Sequence, residues 1–194
     1  MVEGRAAPVV DADFEGLREL YMCGCTSVTD AAFVHLRGIH RLDMTFCSQL
    51  AITDAAFAHL AGIQRLCMQY CDQDTITDAA FAHLRGIQLL NMSFCMQITD
   101  AAFVHLLGIH TLYMWYCDQP AITDAAFVHL RGIHTLVMDC CNQATISGAT
   151  LFSLNGATLL AMCGCSAAAM ATAQSLSLPV RAQGGGYCAL TYVV

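Results

Sequence analysis

Apolar residues recur along the chain in two alternating rhythms. Around the pairs Leu20/Met22, Leu42/Met44, Leu66/Met68, Leu90/Met92, Leu112/Met114, Leu136/Met138 and Leu160/Met162, apolar and variable positions alternate with period two. That is the pattern of a short strand with one face buried. Between these pairs the string T-D-A-A-F-x-H-L sets apolar residues at helical spacing. In its first copy Val28, Ala32, Phe33, Leu36 and Ile39 share one face, while Asp30, His35 and Arg37 fall on the other. Thr29 or Asp30 stands where a side chain caps a helix. Gly38, Gly62, Gly86, Gly108 and Gly132 follow the helical segments, where a positive φ is often needed. The pattern predicts strand, turn, helix and turn, over and over.

The repetition is close to literal. ITDAAF occurs at 52–57, 76–81, 98–103 and 122–127, with VTDAAF at 28–33 and a decayed ISGATL at 146–151. A cysteine follows each Met by three residues: Cys25, Cys47, Cys71, Cys95, Cys117, Cys141 and Cys165. Successive leucines are spaced 22, 24, 24, 22, 24 and 24 residues apart, so a 70-residue unit has been duplicated. The tetrapeptide MCGC at 22–25 returns at 162–165, two such units later. Recent duplication copies residues whether or not each is needed, so repetition alone marks no residue as functional.

Strands that alternate with helices stack in parallel. Seven of them at about 4.8 Å spacing give a sheet roughly 29 Å from first strand to last. This accounts for the 57% hydrophobic content, because nearly every unit of a thin solenoid is core. No apolar run reaches the roughly 18 residues of a membrane-spanning helix, and the N-terminus lacks a signal-peptide core. A net charge of −7 argues against nucleic acid as partner. All eight basic residues other than histidine are arginine, which excludes lysine chemistry.

The unit I-x-x-L-x-M-x-x-C, whole in Ile109, Leu112, Met114 and Cys117, resembles the leucine-rich repeat, with Cys in place of Asn. The Cys followed by I-T-D and a short helix resembles the cysteine-containing subclass. The resemblance covers residues 14–165. It implies an α/β leucine-rich-repeat solenoid of about seven repeats of 22–24 residues. A curved parallel sheet would line the concave face and short helices the convex face. Residues 1–13 form an N-terminal extension and 166–194 an irregular tail or weak cap. Within that tail Ala167–Leu178 is expected to form one Ala-rich helix ended by Pro179, and Gly184–Gly186 to turn.

The variable strand positions form columns on the concave face. Helix and core positions barely change between repeats, whereas these columns change freely, as expected where a fixed scaffold adapts one face to a partner. Tyr113, Trp115 and Tyr116 cluster on one strand, with Arg41, Arg65, Asp43 and Asp139 on the same face and Gln69 and Asn91 between them. Tyr, Trp and Arg are the usual anchors of protein interfaces. A further column, Phe46, Tyr70, Phe94 and Tyr116, suits partner contact and stacking along the ladder equally well.

Other chemistry is weaker. One cysteine per turn makes a line where a tetrahedral metal site needs a cluster. Disulfides would need a Cβ geometry that stacked positions rarely offer. The simplest reading is buried free thiols in a reducing compartment, the cytoplasm or nucleus. The histidine columns (His35, His59, His83, His105 and His129; His40, His110 and His134) read as copied polar positions. No nucleophile-and-base motif or phosphate loop occurs, so neither an enzyme nor a cofactor is expected.

The expected function is non-catalytic protein recognition. The resemblance extends to the repeat regions of F-box ubiquitin-ligase substrate receptors, which implies ligase subunits as partners. The residues before the first repeat are fewer than an F-box module needs, so the array is expected to act as a detached recognition part or to join another subunit. The rival readings are a structural or decoy array without a dedicated partner, and a metal- or redox-responsive ladder.

Overall fold

The computed structural model describes residues 16–181. The N-terminal extension 1–13 and the Gly184–Gly186 turn lie outside the described residues.

Eight short strands make one parallel sheet in chain order: β1 (Glu19–Tyr21), β2 (Arg41–Asp43), β3 (Arg65–Cys67), β4 (Leu89–Asn91), β5 (Thr111–Tyr113), β6 (Thr135–Val137), β7 (Leu159–Ala161) and β8 (Val180–Arg181). Each Leu pairs with its counterpart one repeat on, as in Leu42↔Leu66 and Leu66↔Leu90. A repeat position in the sequence is therefore a column in space. The Leu-x-Met pairs account for seven strands. The eighth comes from the tail, where the motif has stopped. Ser166 caps α6 (Ala167–Ser175) by accepting from the Ala169 N–H at 3.2 Å. Ala169 and Ala173 are buried, and Leu178 and Val180 pack on the core. Val180 then pairs with Leu160. An open parallel edge and a few apolar side chains suffice for one more coil.

The helices are shorter than the period suggests. α1 (Asp30–Phe33), α2 (Asp54–Phe57), α3 (Asp78–Phe81), α4 (Asp100–Phe103) and α5 (Asp124–Phe127) are single α-turns. A 3₁₀ turn follows α1, α2 and α5 and carries the His-Leu pair. A helix is about 10 Å across and the strands about 4.8 Å apart. Coils this tightly stacked hold a single turn with alanine (Ala32, Ala56, Ala80, Ala102, Ala126) on the buried side.

Both residues of each Thr-Asp pair are used, in opposite directions. Thr is the N-cap: the Oγ1 of Thr53 accepts from the Ala55 N–H at 3.1 Å. Asp reaches the next coil. Asp54 Oδ1 and Oδ2 accept from the N–H and hydroxyl of Thr77, both at 2.7 Å. The same pair of bonds joins Asp30 to Thr53, Asp78 to Thr99 and Asp100 to Thr123. Asp124 holds Ser147 and Gly148 instead, and the hydroxyl of Thr150 donates to its carbonyl.

The core is a set of columns running the length of the sheet. Phe33, Phe57, Phe81, Phe103 and Phe127 are fully buried, and Leu151 takes over in the decayed repeat. The cysteines bond between coils. The thiols of Cys47, Cys71, Cys95, Cys117, Cys141 and Cys165 donate to the carbonyls of Met22, Met44, Met68, Met92, Met114 and Met138 at 3.0–3.3 Å. Gln49, Gln73, Gln119 and Gln143 donate amide hydrogens to carbonyls of the preceding coil.

Burial pushes the thiol of Cys47 up to about 11 and those of Cys117 and Cys165 to about 12, and raises Cys71, Cys95 and Cys141 as well. The neutral thiol is thus favoured in the folded chain. Above pH ~9 the unfolded chain releases thiol protons that the folded chain keeps, so stability contributed by these groups is intact below pH ~9 and lost as pH rises toward 11–12. Urea titrations at pH 6, 7.5 and 10.5 are expected to give equal midpoints for the first two, relative to thiol-free controls, and a lower one for the third. An equal loss at pH 10.5 in a Cys117→Ala, Cys47→Ala variant would sink this account. Separately, Asp78→Ala leaves two Thr99 donors without acceptors. It is expected to destabilise by about 2 kcal/mol, with Asp78→Asn costing less; equal costs would remove the carboxylate from the argument.

Candidate binding face

Side chains that alternate with the buried Leu and Met of each strand form the outer face of the sheet, the one anticipated as concave. The nine residues singled out in the sequence all lie on or beside β2–β6, a span of about 19 Å at ordinary strand spacing. The structure brings them onto one face but divides them by what their polar atoms do.

Three are tied to the backbone. Asp43 Oδ1 accepts from the Thr45 N–H at 3.0 Å, and Asn91 Oδ1 accepts from the Ser93 N–H at 3.1 Å. Asp139 Oδ1 accepts from the Cys163 N–H at 2.6 Å, in the next coil. Burial raises the Asp139 carboxyl above the usual range, opposed by that N–H and by Arg181. Gln69 accepts weakly from Asn91 at 3.4 Å. These groups serve the turns at the strand ends.

Tyr116 belongs to another structure. Phe46, Tyr70, Phe94 and Tyr116 stack face to face, with centroids 4.5, 4.1 and 4.7 Å apart and planes within 20°. The stacking that the sequence offered for this column is present, with Phe46 and Tyr116 still 46% and 39% exposed. All four residues have φ between 53° and 62°, in the left-handed region. The reason is the turn after each strand. The Cys47 N–H bonds the Met44 carbonyl at 3.0 Å, and the third residue of that turn, Phe46, takes the positive φ that a type II turn requires there. Gly24 and Gly164 fill the same position in the MCGC copies, at φ 68° and 74°. Cys140 takes it too, at φ 63°; glycine at both ends of a column that otherwise holds four aromatics and a cysteine was the signal for this turn.

The remaining residues point outward with few commitments. Tyr113 and Trp115 meet edge to face, with centroids 6.2 Å apart at 85°. The Trp115 N–H of the backbone donates to the Ser93 hydroxyl at 3.1 Å, but its indole Nε1 is buried with no acceptor. Arg41 lies over the Tyr21 ring, 5.1 Å from its centroid, and Tyr21 is 51% exposed. This exposed ring, in contact with a candidate residue, makes Tyr21 part of the face; it stands in the same outward column as Asp43 and Tyr113. Arg65 is exposed beside Arg41, its partner in the register. Toward the far end Val137 and Ala161 are buried, so the accessible face is centred on β2–β5.

No family model matches the chain, and no curated protein matches it. Solved structures do. The chain is similar to one in the crystal structure of a TLR13–ssRNA13 complex, with TM-score 0.66 and 16% identity over 85% of this chain and 24% of that one. It is also similar to a chain in the Rad7–Elc1 complex of yeast, with TM-score 0.54 and 17% identity over 73% of this chain and 42% of that one. The fold is a leucine-rich-repeat solenoid. At these identities the likeness speaks for the fold alone, and the chain spans less than half the length of either neighbour.

Within the leucine-rich-repeat solenoid the metal and redox columns gain no cluster. Every described cysteine is free, and among the described residues no group of three or more His, Cys, Asp or Glu is placed to hold a metal ion. His110 and His134 stack at 4.2 Å. No helix of the described residues is long and apolar enough to cross a membrane.

The aromatic ladder can be tested by two substitutions at one position. Tyr70→Ala removes two stacked pairs and keeps a strained φ, and is expected to cost about 1–3 kcal/mol. Tyr70→Gly loses the same pairs but suits the backbone, and should be about 1 kcal/mol more stable than the alanine variant. Urea denaturation of the two variants decides it; a glycine variant no more stable than alanine removes the strain from the account.

Proposed function

We propose that the chain is a non-catalytic recognition scaffold that holds a protein partner on its sheet face, and that its setting is substrate recognition for an SCF-type ubiquitin ligase. The observation that carries the reading is the Tyr113–Trp115 pair. It places the only tryptophan on the outer face of a central strand, half-buried and outside the core columns. Such aromatic pairs give interfaces most of their binding energy. Arg41, Arg65 and Gln69 supply the polar contacts around it; Asp43, Asn91, Tyr116 and Asp139 form the floor on which these stand.

The solved neighbours are in complexes with RNA in one case and with the protein Elc1 in the other. For this chain a net charge of −7 favours protein, since phosphate backbones are held by clustered positive charge. The free buried thiols favour a reducing compartment, cytoplasm or nucleus. The ligase setting rests on the cysteine-containing repeat pattern and is the finer part of the proposal.

A second reading, an array without a dedicated partner, is favoured by one observation: the aromatic ladder is satisfied by its own stacking. Affinity capture with quantitative mass spectrometry separates the two. Tyr113→Ala, Trp115→Ala is expected to reduce recovery of the specific partner at least tenfold, while Arg37→Ala on the helix side leaves it unchanged. Ligase subunits among the captured proteins support the finer reading. An identical set captured by both variants, with folding intact by circular dichroism, sinks the recognition face.

A further inference from the structure

The accessible sheet face is divided by chemistry. On β2 and β3, Arg41 and Arg65 stand opposite each other in the register. Like charges in directly opposed strand positions destabilise a sheet. Neither guanidinium is relieved by an ion pair with a described residue. The nearby carboxylates are turned elsewhere: Asp43 Oδ1 takes the Thr45 N–H, and Glu19 accepts from the Tyr21 hydroxyl at 3.3 Å. Arg41 has only the Tyr21 ring. The two arginines, with Glu19, His40 and Gln64, border an open hollow of about 320 Å³ at the edge of the face. Two strands further along, the charge is gone and Tyr113 and Trp115 stand in its place, separated from the arginines by Leu89, Asn91 and Gln69.

We infer that the partner reaches this face as an extended segment carrying an acidic residue and, a few residues away, an aromatic or large aliphatic one. This rests on the recognition reading above and adds the partner's chemistry. The carboxylate bridges Arg41 and Arg65, whose planar guanidiniums suit bidentate contact with it; the apolar side chain packs against Tyr113 and Trp115. The midpoint of β2 and β3 lies about two and a half strand spacings from β5, or about 12 Å. Thr111 is the register partner of the arginine positions, and Tyr113 and Trp115 stand two and four residues beyond it along the strand, so the full separation is about 14–18 Å; at about 3.3 Å per residue of extended chain the acidic and apolar residues are four to six positions apart.

The test uses the full chain and a displayed library of random twelve-residue peptides. Enriched sequences are expected to hold Asp or Glu four to six positions from Trp, Phe, Tyr or Leu. A synthesised winner should bind at least tenfold more weakly to Arg41→Gln, Arg65→Gln, and its affinity should fall several-fold between 50 and 500 mM NaCl for the wild type but not for that variant. Trp115→Ala should weaken the same peptide at least tenfold and leave its salt dependence in place. Winners that depend on Trp115 but lack an acidic residue, or that ignore the arginine substitutions, overturn this inference while leaving the recognition face standing. Enriched peptides indifferent to every one of these substitutions overturn both.

Discussion

The structure depends on each coil completing the hydrogen bonds of its neighbour. A coil of 22–24 residues is too thin to bury its polar groups within itself. The stack meets this with bonds that cross from coil to coil: Asp to the next Thr, Cys to the preceding Met carbonyl, Gln to the preceding loop. These pairs recur at the repeat period, with exceptions at the exposed Gln97 and at Asp124, which holds Ser147 and Gly148. A single unit has neither partner and would leave these groups buried and unpaired, at about 1–3 kcal/mol each. Folding is therefore a property of the array. The same logic explains the end: Ser166 donates to the Ile146 carbonyl at 2.7 Å, so the final helix continues the ladder without the motif.

The left-handed turn after each strand poses a second constraint, met by glycine at the two ends, by Cys140 at φ 63° and by aromatics elsewhere. Where glycine stands, at Gly24 and Gly164, the backbone adopts the conformation without a Cβ penalty. Where an aromatic stands, the penalty of about 1–3 kcal/mol is offset in part by stacking on the next ring, about 0.5–1.5 kcal/mol per pair. The backbone strain fixes the direction of each ring, and the strand spacing brings the rings to 4.1–4.7 Å. These rings consequently serve the scaffold first, even though Phe46 and Tyr116 stay 46% and 39% exposed.

What remains for recognition is smaller than the outer face. Turn-capping claims an oxygen of Asp43, Asn91 and Asp139, and burial closes Val137 and Ala161. Arg41 and Arg65 make no ion pair with a described residue, and Tyr113 and Trp115 meet each other edge to face.

The sequence by itself determined the architecture. Leu-x-Met with period two, T-D-A-A-F with helical period and a constant spacing leave one way to bury every apolar stripe, by parallel stacking in register. It also identified the variable columns, because one strand residue in two must point away from the core. Only the tertiary structure decided which of those residues are free. That Asp43 accepts from the Thr45 N–H, that Asp139 accepts from Cys163 in the next coil, and that Tyr116 stacks on Phe94 depend on turn geometry, on atoms a full coil away and on the sign of one φ angle. The Thr-Asp pair shows the same limit. Local rules allow either residue to cap the helix, and the choice falls to Thr because the next coil's Thr claims the Asp. The eighth strand had no motif to announce it, since what places Val180 is the open edge of β7 and not a pattern of its own.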